Sequence, residues 1–409
     1  MKILLFTEIF DCGGIDTFIV NLINSWPVKD DAFVIIANSN YPGLKIIEEK
    51  LTRPCEVVRH RELIYSNILS SSFPLKVMRK ITSPLLRYLL IAYNILTLRK
   101  LLLQTKADAL MVINGGYPGG DSCRAAAISW GVFSGKPKSI HNFHNIAQKA
   151  PLHSILQERI VDRLLCKYTA QFVTVSGAAA ESMSLRPQIA GRNITSYIHN
   201  GLAITPDLSV HEKNIRDEIG ISSTTPLCLM LGTYEPRKGH YFLFKAFKKV
   251  LAEVPNAHLL VCGYGFPHEI KQVSGYVKNM RLHDHVHLMG FRRDISHLLT
   301  NSDVLVVASQ AYESFGFTSV EAMAHKVPVV ATDVGGIPEV VVNGEGGYCV
   351  GSSDVDSYAR HIAKLLKDKD LREAQGERGY KRYRDFFSAE TMASKYAAMI
   401  HELTGGNAQ

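Results

Sequence analysis

No two of the seven cysteines stand close together: Cys12, Cys55, Cys123, Cys166, Cys228, Cys262 and Cys349 are scattered over 409 residues. That scatter excludes a cysteine-based zinc motif and offers no disulfide framework, and an odd count suits a reducing compartment. A run long and apolar enough to cross a bilayer is missing as well. The most apolar candidate, between Arg87 and Arg99, holds eleven uncharged residues, well short of the roughly 20 that a spanning helix needs. There is no Walker loop and no complete GxGxxG followed by a distal acid, which argues against an ordinary kinase or dehydrogenase. Asp354-Val355-Asp356 imitates a metal-binding DxD triplet, but it precedes a helical pattern, where Asp354 reads better as an N-cap; no metal is expected. The opening MKILLFTEIFDCGG has an apolar stretch too short for a signal-peptide core. Asn193-Ile194-Thr195 then matches a glycosylation sequon by accident, and a cytoplasmic location is expected.

What is present is ordinary in bulk and uneven in detail. Hydrophobic residues make up 46% and charged residues 21%, as in a soluble enzyme, and the length makes two domains the default. The net charge of +8 is concentrated: residues 1–200 carry 23 basic against 14 acidic residues, and residues 201–409 carry 23 against 24. Within 76–106 there are seven basic residues and no acid. A basic helix with apolar faces in that segment could lie on an anionic leaflet through Arg87, Arg99 and Lys100. The alternative is a core-facing helix with a solvated basic edge. Nucleic acid is not expected, because no aromatic–basic interleaving accompanies the charge.

Strand and helix patterns alternate along both halves. The first series places strands at 1–8, 33–37, 109–113, 139–143, 172–175 and 194–198. A second begins near residue 226, with strands at 227–231, 258–262, 286–289, 304–308 and 327–331. Repeated β–helix–β units with short connections imply parallel sheets covered by helices on both faces. The expectation is an α/β protein with domains at 1–203 and 204–387, a linker within 206–225, and a final helix, 388–405, packing back on the first domain.

Candidate chemistry gathers after the strands. Gly13-Gly14, Gly263-Tyr264-Gly265 and Gly335-Gly336 are turns where backbone amides can approach an anion, or else simple tight turns. GTYEPRKG, residues 232–239, puts Arg237 and Lys238 on a post-strand loop, a pair of cations suited to a diphosphate. His141 and His144 sit at the end of a strand, where a structural role is the commoner outcome. Glu313 and Glu321 flank ESFGFTSVE. Thr318 to Glu321 spells a capping box in which Glu321 closes the helix's first turn.

In this order the pieces resemble a retaining glycosyltransferase of family 4, of GT-B architecture: two facing Rossmann-like domains with parallel sheets and a cleft between them. The mark is the pair Glu313 and Glu321 within ESFGFTSVEAMAHKVPVVATDVGGIPEVV. VTVSGAAAESM, HNG, GTYEPRKG, LMGFRRDISHLLTNSDVLVVAS and NGEGGYCV also match in order. The likeness covers most of 105–400 and is faint over 40–105. It implies transfer of a sugar from a UDP- or GDP-linked donor to a glycan or lipid-linked acceptor in bacterial cell-surface polysaccharide synthesis, without metal or cofactor. Glu321 would hold the donor ribose and Glu313 would attend the transferred sugar. Lys238 and the amides from Phe315 through Gly316 and Phe317 to Thr318 would steady the leaving diphosphate. Gly14 would admit the donor phosphate, Gly263 would belong to the donor site, and His144 would face sugar and acceptor. One departure stands out: many relatives carry Arg where this chain has Thr233, so Arg237 would supply that charge. Two further readings stay open, a nucleotide-sugar epimerase of the same architecture and a catalytically silent nucleotide-sugar-binding protein.

Overall fold

The computed structural model describes residues 1–10, 13–61, 73–204 and 214–405, the side chains of 73–85 excepted. The chain divides into two compact units, one of residues 1–203 with 389–409, the other of 204–388. The first contains a seven-stranded sheet of order β3-β2-β1-β4-β5-β6-β7. Its strands are β1 (Lys2–Thr7), β2 (Ala32–Asn38), β3 (Cys55–His60), β4 (Ala109–Asn114), β5 (Ser139–Phe143), β6 (Thr169–Thr174) and β7 (Thr195–Tyr197). All pair in parallel. Because both faces are covered, the central strands are apolar throughout: β4, ALMVIN, is buried at every position.

One face of this sheet carries helices Gly14–Asn24 and Gly43–Lys50 and the last helix, Ala389–Leu403. That last helix returns to this unit from beyond the second one through Met392, Ala393, Tyr396 and Ile400, all buried against Phe18 and the sheet. Asn142 donates to the Tyr396 hydroxyl at 2.7 Å, and His401 meets Asp31 at 2.8 Å. The other face carries Phe73–Gln104, Asp121–Phe133 and Ile155–Tyr168. Asp121–Phe133 is buried from Ser122 to Trp130, and its Ala125-Ala126-Ala127 run lets neighbours pack close.

The second unit has six parallel strands, β10-β9-β8-β11-β12-β13: β8 (Leu227–Leu231), β9 (His258–Cys262), β10 (Val286–Met289), β11 (Val304–Val307), β12 (Val329–Thr332) and β13 (Gly347–Val350). Its core joins these strands to helices His240–Glu253 and Val355–Lys367, with Phe242 edge-on to Tyr358 at 5.1 Å between ring centres. Asp354 caps the latter helix by accepting from the Ser357 amide at 2.9 Å. Residues 205–213, which include the first part of the expected linker, lie outside the described residues, and 215–218 already form a helix of the second unit.

In each sheet the order reverses once, between β1 and β4 and between β8 and β11. Connections leave in opposite directions there, opening a crevice at the strands' carboxyl ends where open α/β sheets bind ligands.

Candidate donor site

In the second unit, the two loops at the reversal are 232–239 after β8 and 308–316 after β11, and they hold one another in place. The Gln310 amide donates to the Arg237 carbonyl at 2.7 Å. Gly239 has φ +76°, and a Cβ there would lie 1.9 Å from the Ala308 carbonyl oxygen, so only glycine lets the loops approach this closely. Gly335, at φ +59°, is pressed against the Glu313 carbonyl in the same way, and Gly336 donates to that carbonyl at 2.8 Å. The Gly335-Gly336 turn therefore buttresses the Glu313 loop.

These contacts bring together side chains 75 residues apart in sequence. Lys238 Nζ lies 2.5 Å from Glu313 Oε2, and the Arg237 guanidinium lies 3.7 Å from the same oxygen. Ser309 Oγ donates to it at 3.3 Å. Arg237 is gripped by Glu235 at 2.6 Å and stacks over Tyr312, 5.0 Å from the ring centre. Thr233 Oγ1 donates to the other Glu235 oxygen at 2.9 Å. Burial raises the Glu235 carboxyl, but the bonds from Arg237 and Thr233 outweigh it and leave its pKa below the ordinary value. The roles of Glu235, Ser309 and Tyr312 were hidden in the sequence; the proximity of Glu235 to Arg237 in EPRK was the one available signal.

Helix Phe317–Ala324 follows. Its N-cap is Gly316 in the left-handed conformation at φ +90° and ψ 51°, so the helix starts one residue before Thr318. This corrects the expected capping box: Glu321 lies in the second turn and does not close the first. Phe315 is buried, edge-on to Phe317 and Phe387 at 6.1 and 5.8 Å. The amides of Phe317 and Thr318 open the helix and have no acceptor within it. The Glu321 side chain has no hydrogen-bond partner among the described residues, and burial pushes its pKa up to about 7. Gly263 opens the loop after β9 and abuts Gly232, while Tyr234 donates to the Tyr264 carbonyl at 2.9 Å.

The first unit repeats the geometry with different residues. Gly13 and Gly14 follow β1 at the reversal and start an eleven-residue helix, with open space around Gly14. His144 follows β5 and packs edge-on to Phe18 at 4.4 Å. Its Nε2 is buried without a partner, and burial lowers its pKa to about 3, so the ring is neutral. His141 is wholly buried and stacked on Phe143 at 4.4 Å, a structural position. Arg87 is turned inward, with a two-pronged bond to Asp121 at 2.8 Å for each prong. Arg99 lies over Phe133 at 4.8 Å, and Lys100 is exposed.

Residues 211–382 match the sequence pattern of the family described as glycosyl transferases group 1. The match spans nearly all of the second unit, 204–388. The chain is 33% identical over 189 residues to N-acetyl-alpha-D-glucosaminyl L-malate synthase of Bacillus anthracis, 46% of this chain and 49% of that one. It is 34% identical over 172 residues to the capsular polysaccharide biosynthesis glycosyltransferase CapM of Staphylococcus aureus, 41% of this chain and 45% of that one. Each match spans about half of the relative's own length. The whole fold matches solved structures: Anabaena Alr3699/HepE in complex with UDP superposes with a TM-score of 0.72 at 21% identity, over 98% of this chain and 100% of that one, and a glycosyltransferase from Rickettsia africae with a TM-score of 0.77 at 19% identity, over 98% of each chain. The architecture is GT-B, with two parallel-sheet Rossmann-like domains.

Proposed function

We propose that the protein is a retaining glycosyltransferase that moves a sugar from a UDP- or GDP-linked donor to a glycan or lipid-linked acceptor of a bacterial cell-surface polysaccharide or glycolipid. The observation that carries the reading is the Lys238–Glu313 contact at the β8/β11 reversal, 2.5 Å long and flanked by Arg237. Two cations at a strand's carboxyl end, beside the amides opening Phe317–Ala324, suit a diphosphate. When the diphosphate arrives, Lys238 exchanges Glu313 for phosphate oxygens, and Glu313 is released toward the sugar. Glu321, desolvated and unpartnered, accepts hydrogen bonds from the ribose hydroxyls, which only an ionised carboxylate can do twice. Arg237 stands in for the charge absent at Thr233. In the first unit, Gly14 is assigned to the donor phosphate and His144, as a neutral ring, to hydrogen bonding with the sugar.

The reaction follows from those charges. The bond from the anomeric carbon to the diphosphate oxygen breaks as the acceptor hydroxyl attacks the same face, and the acceptor's proton departs with the diphosphate. Negative charge gathering on the diphosphate is met by fixed cations and amide dipoles, and positive charge on the sugar ring by Glu313. A divalent metal is not required in this scheme. Thermal unfolding in EDTA with a panel of UDP- and GDP-sugars tests it. One nucleotide series raises the unfolding temperature of the wild type and fails to do so for Glu321→Ala; absence of a shift with every donor would overturn the reading. Product analysis without acceptor separates transfer from epimerisation, because a transferase releases only hydrolysed sugar of unchanged identity.

A further inference from the structure

Three histidines meet at one edge of the second sheet, at the amino ends of its strands and so away from the crevice. His258 opens β9, and His285 and His287 flank Val286 at the start of the edge strand β10. Side chains alternate along a strand. Val286 enters the core, which leaves His285 and His287 together on the opposite face. Leu259 pairs with Val286, and this register sets His258 level with His285 on that same face. The His258 ring lies 5.2 Å from each of the other two, centre to centre, and all three are half-buried.

Their hydrogen bonds bring two ring nitrogens face to face. His285 is committed to the backbone, its Nδ1 donating to the Ala257 carbonyl at 3.0 Å. His258 Nδ1 lies 2.9 Å from His287 Nε2, so the two nitrogens share a single hydrogen. A metal ion held at about 2.1 Å by two imidazoles at a right angle sets their nitrogens about 3.0 Å apart. That separation is already present, and a turn of each ring aims both lone pairs at one ion. Burial and the adjoining imidazoles hold the His258 pKa down to about 4. Burial and His285 lower that of His287 as well. Both rings are therefore neutral at pH 7, the form a metal requires. Among the described residues no three His, Cys, Asp or Glu side chains are placed to hold one ion, so water completes the coordination.

We infer that His258 and His287 form a two-imidazole site for a divalent transition-metal ion of the copper or nickel kind, which ties the edge strand β10 to β9. Nitrogen donors at a right angle with open positions beside them suit the tetragonal preference of Cu2+ and Ni2+ better than tetrahedral Zn2+. Mg2+ and Ca2+ seek oxygen and gain nothing there. The inference does not depend on the sugar-transfer reading, since its readout is metal binding at the other end of the strands. Titration of the full chain with CuSO4 or NiCl2 at pH 7, followed by electron paramagnetic resonance of the Cu2+ form and by thermal unfolding, tests it. The chain has 16 histidines, so the site is read as the difference between wild type and variants. The wild type is expected to bind one ion ahead of all others, with two nitrogen donors in its spectrum, and to unfold at a higher temperature with metal than without. His258→Asn and His287→Asn each weaken that binding roughly tenfold or more, since even a ligand's lost outer hydrogen bond costs that much, and remove the thermal shift. His283→Asn, on the exposed turn before β10, changes neither. Metal-free unfolding midpoints verify that each variant is folded. A wild-type spectrum with oxygen donors alone or a single nitrogen overturns the inference. So does binding that survives His287→Asn, or that is lost equally in His283→Asn.

Discussion

Glu158 in the first unit is buried and Glu321 in the second half-buried, and their surroundings send their acidities in opposite directions. Burial raises Glu158, but Arg124, the Tyr88 hydroxyl and Arg186 more than offset it, and its pKa is pushed down to about 2. Glu321 has burial alone, and rises to about 7. The two belong to different kinds of region. Around Glu158, three arginines (Arg87, Arg124, Arg186) face three acids (Asp121, Glu158, Asp162) and consume one another's charge. Tyr117 closes the set by donating to Asp162. Around Glu321, Glu313 and Lys238 the charges are half-exposed, shared unevenly, and in one case unpaired. Complete compensation inside a core serves the fold; compensation left incomplete at the carboxyl end of a sheet is what a ligand can finish.

The sharpest way to break that contrast is Glu158→Ala. It takes one acid from each of Arg124 and Arg186, both wholly buried and left with Asp121 and Asp162 alone, and a buried ion network that loses one partner costs about 3–5 kcal/mol. Urea unfolding is expected to show that loss, and a change below about 1 kcal/mol would mean the network behaves like a surface one. The pH dependence has a definite sign. Glu158's folded pKa lies below its unfolded value near 4.5, so its contribution is present above 4.5 and fades as pH falls toward 2.

The second-largest effect lies on the other side of the comparison. Lys238→Ala or Glu313→Gln removes one member of the 2.5 Å pair on partly exposed loops, with little demand on folding. Turnover is expected to fall at least roughly 10²-fold, the size of one lost transition-state contact, while the urea midpoint barely moves. A steady-state assay reporting a loss under threefold for both would remove the pair from the chemistry.

How much of this was legible beforehand also divides along the two regions. The second unit's strands at 227–231, 258–262 and 286–289 coincide with the expected ones, because short apolar runs between glycine turns read clearly. β3, CEVVRH, escaped notice: it is an edge strand whose charged residues interrupt the apolar pattern. The N-cap is Gly316, two residues before the Thr318 that the capping-box pattern gives, because a left-handed glycine conformation leaves no mark in the sequence. The loops of the candidate site are recognisable through family likeness, yet no spacing rule joins Lys238 to Glu313 across 75 residues. The first-unit network was invisible for the same reason, with Arg124 and Glu158 separated by 34 positions and only the fold making them neighbours.

Glu321→Gln sharpens the contrast with Glu158 by reversing its sign. The folded pKa near 7 exceeds the unfolded value near 4.5, so wild-type stability declines as pH rises through that window, where the folded state holds the extra proton. A neutral amide removes the decline. The variant is expected to be more stable than wild type by on the order of 2 kcal/mol at pH 8 and no different at pH 4. Donor affinity of the wild type should rise with pH through about 7, as the carboxylate forms, and vanish in the variant. Melting curves at both pH values, with equal stabilisation or none, would show that Glu321 is well solvated.

Glu235→Gln gives the smallest effect and the finest test of incomplete compensation. Glu235 holds Arg237 at 2.6 Å from a partly exposed loop while Tyr312 stacks beneath the guanidinium. An ion pair so placed is worth about 0.2–1 kcal/mol, which as aim on a diphosphate corresponds to roughly a two- to fivefold rise in donor KM. The glutamine still accepts from Thr233, so the loop keeps its shape and kcat stays near the wild-type value. Tyr312→Leu should move KM in the same direction by loosening the same guanidinium from below. A tenfold loss of kcat in either variant would put Glu235 among the groups that meet the reacting atoms; an unchanged KM in both would mean Arg237 needs no positioning, and that Thr233's missing charge is made good elsewhere.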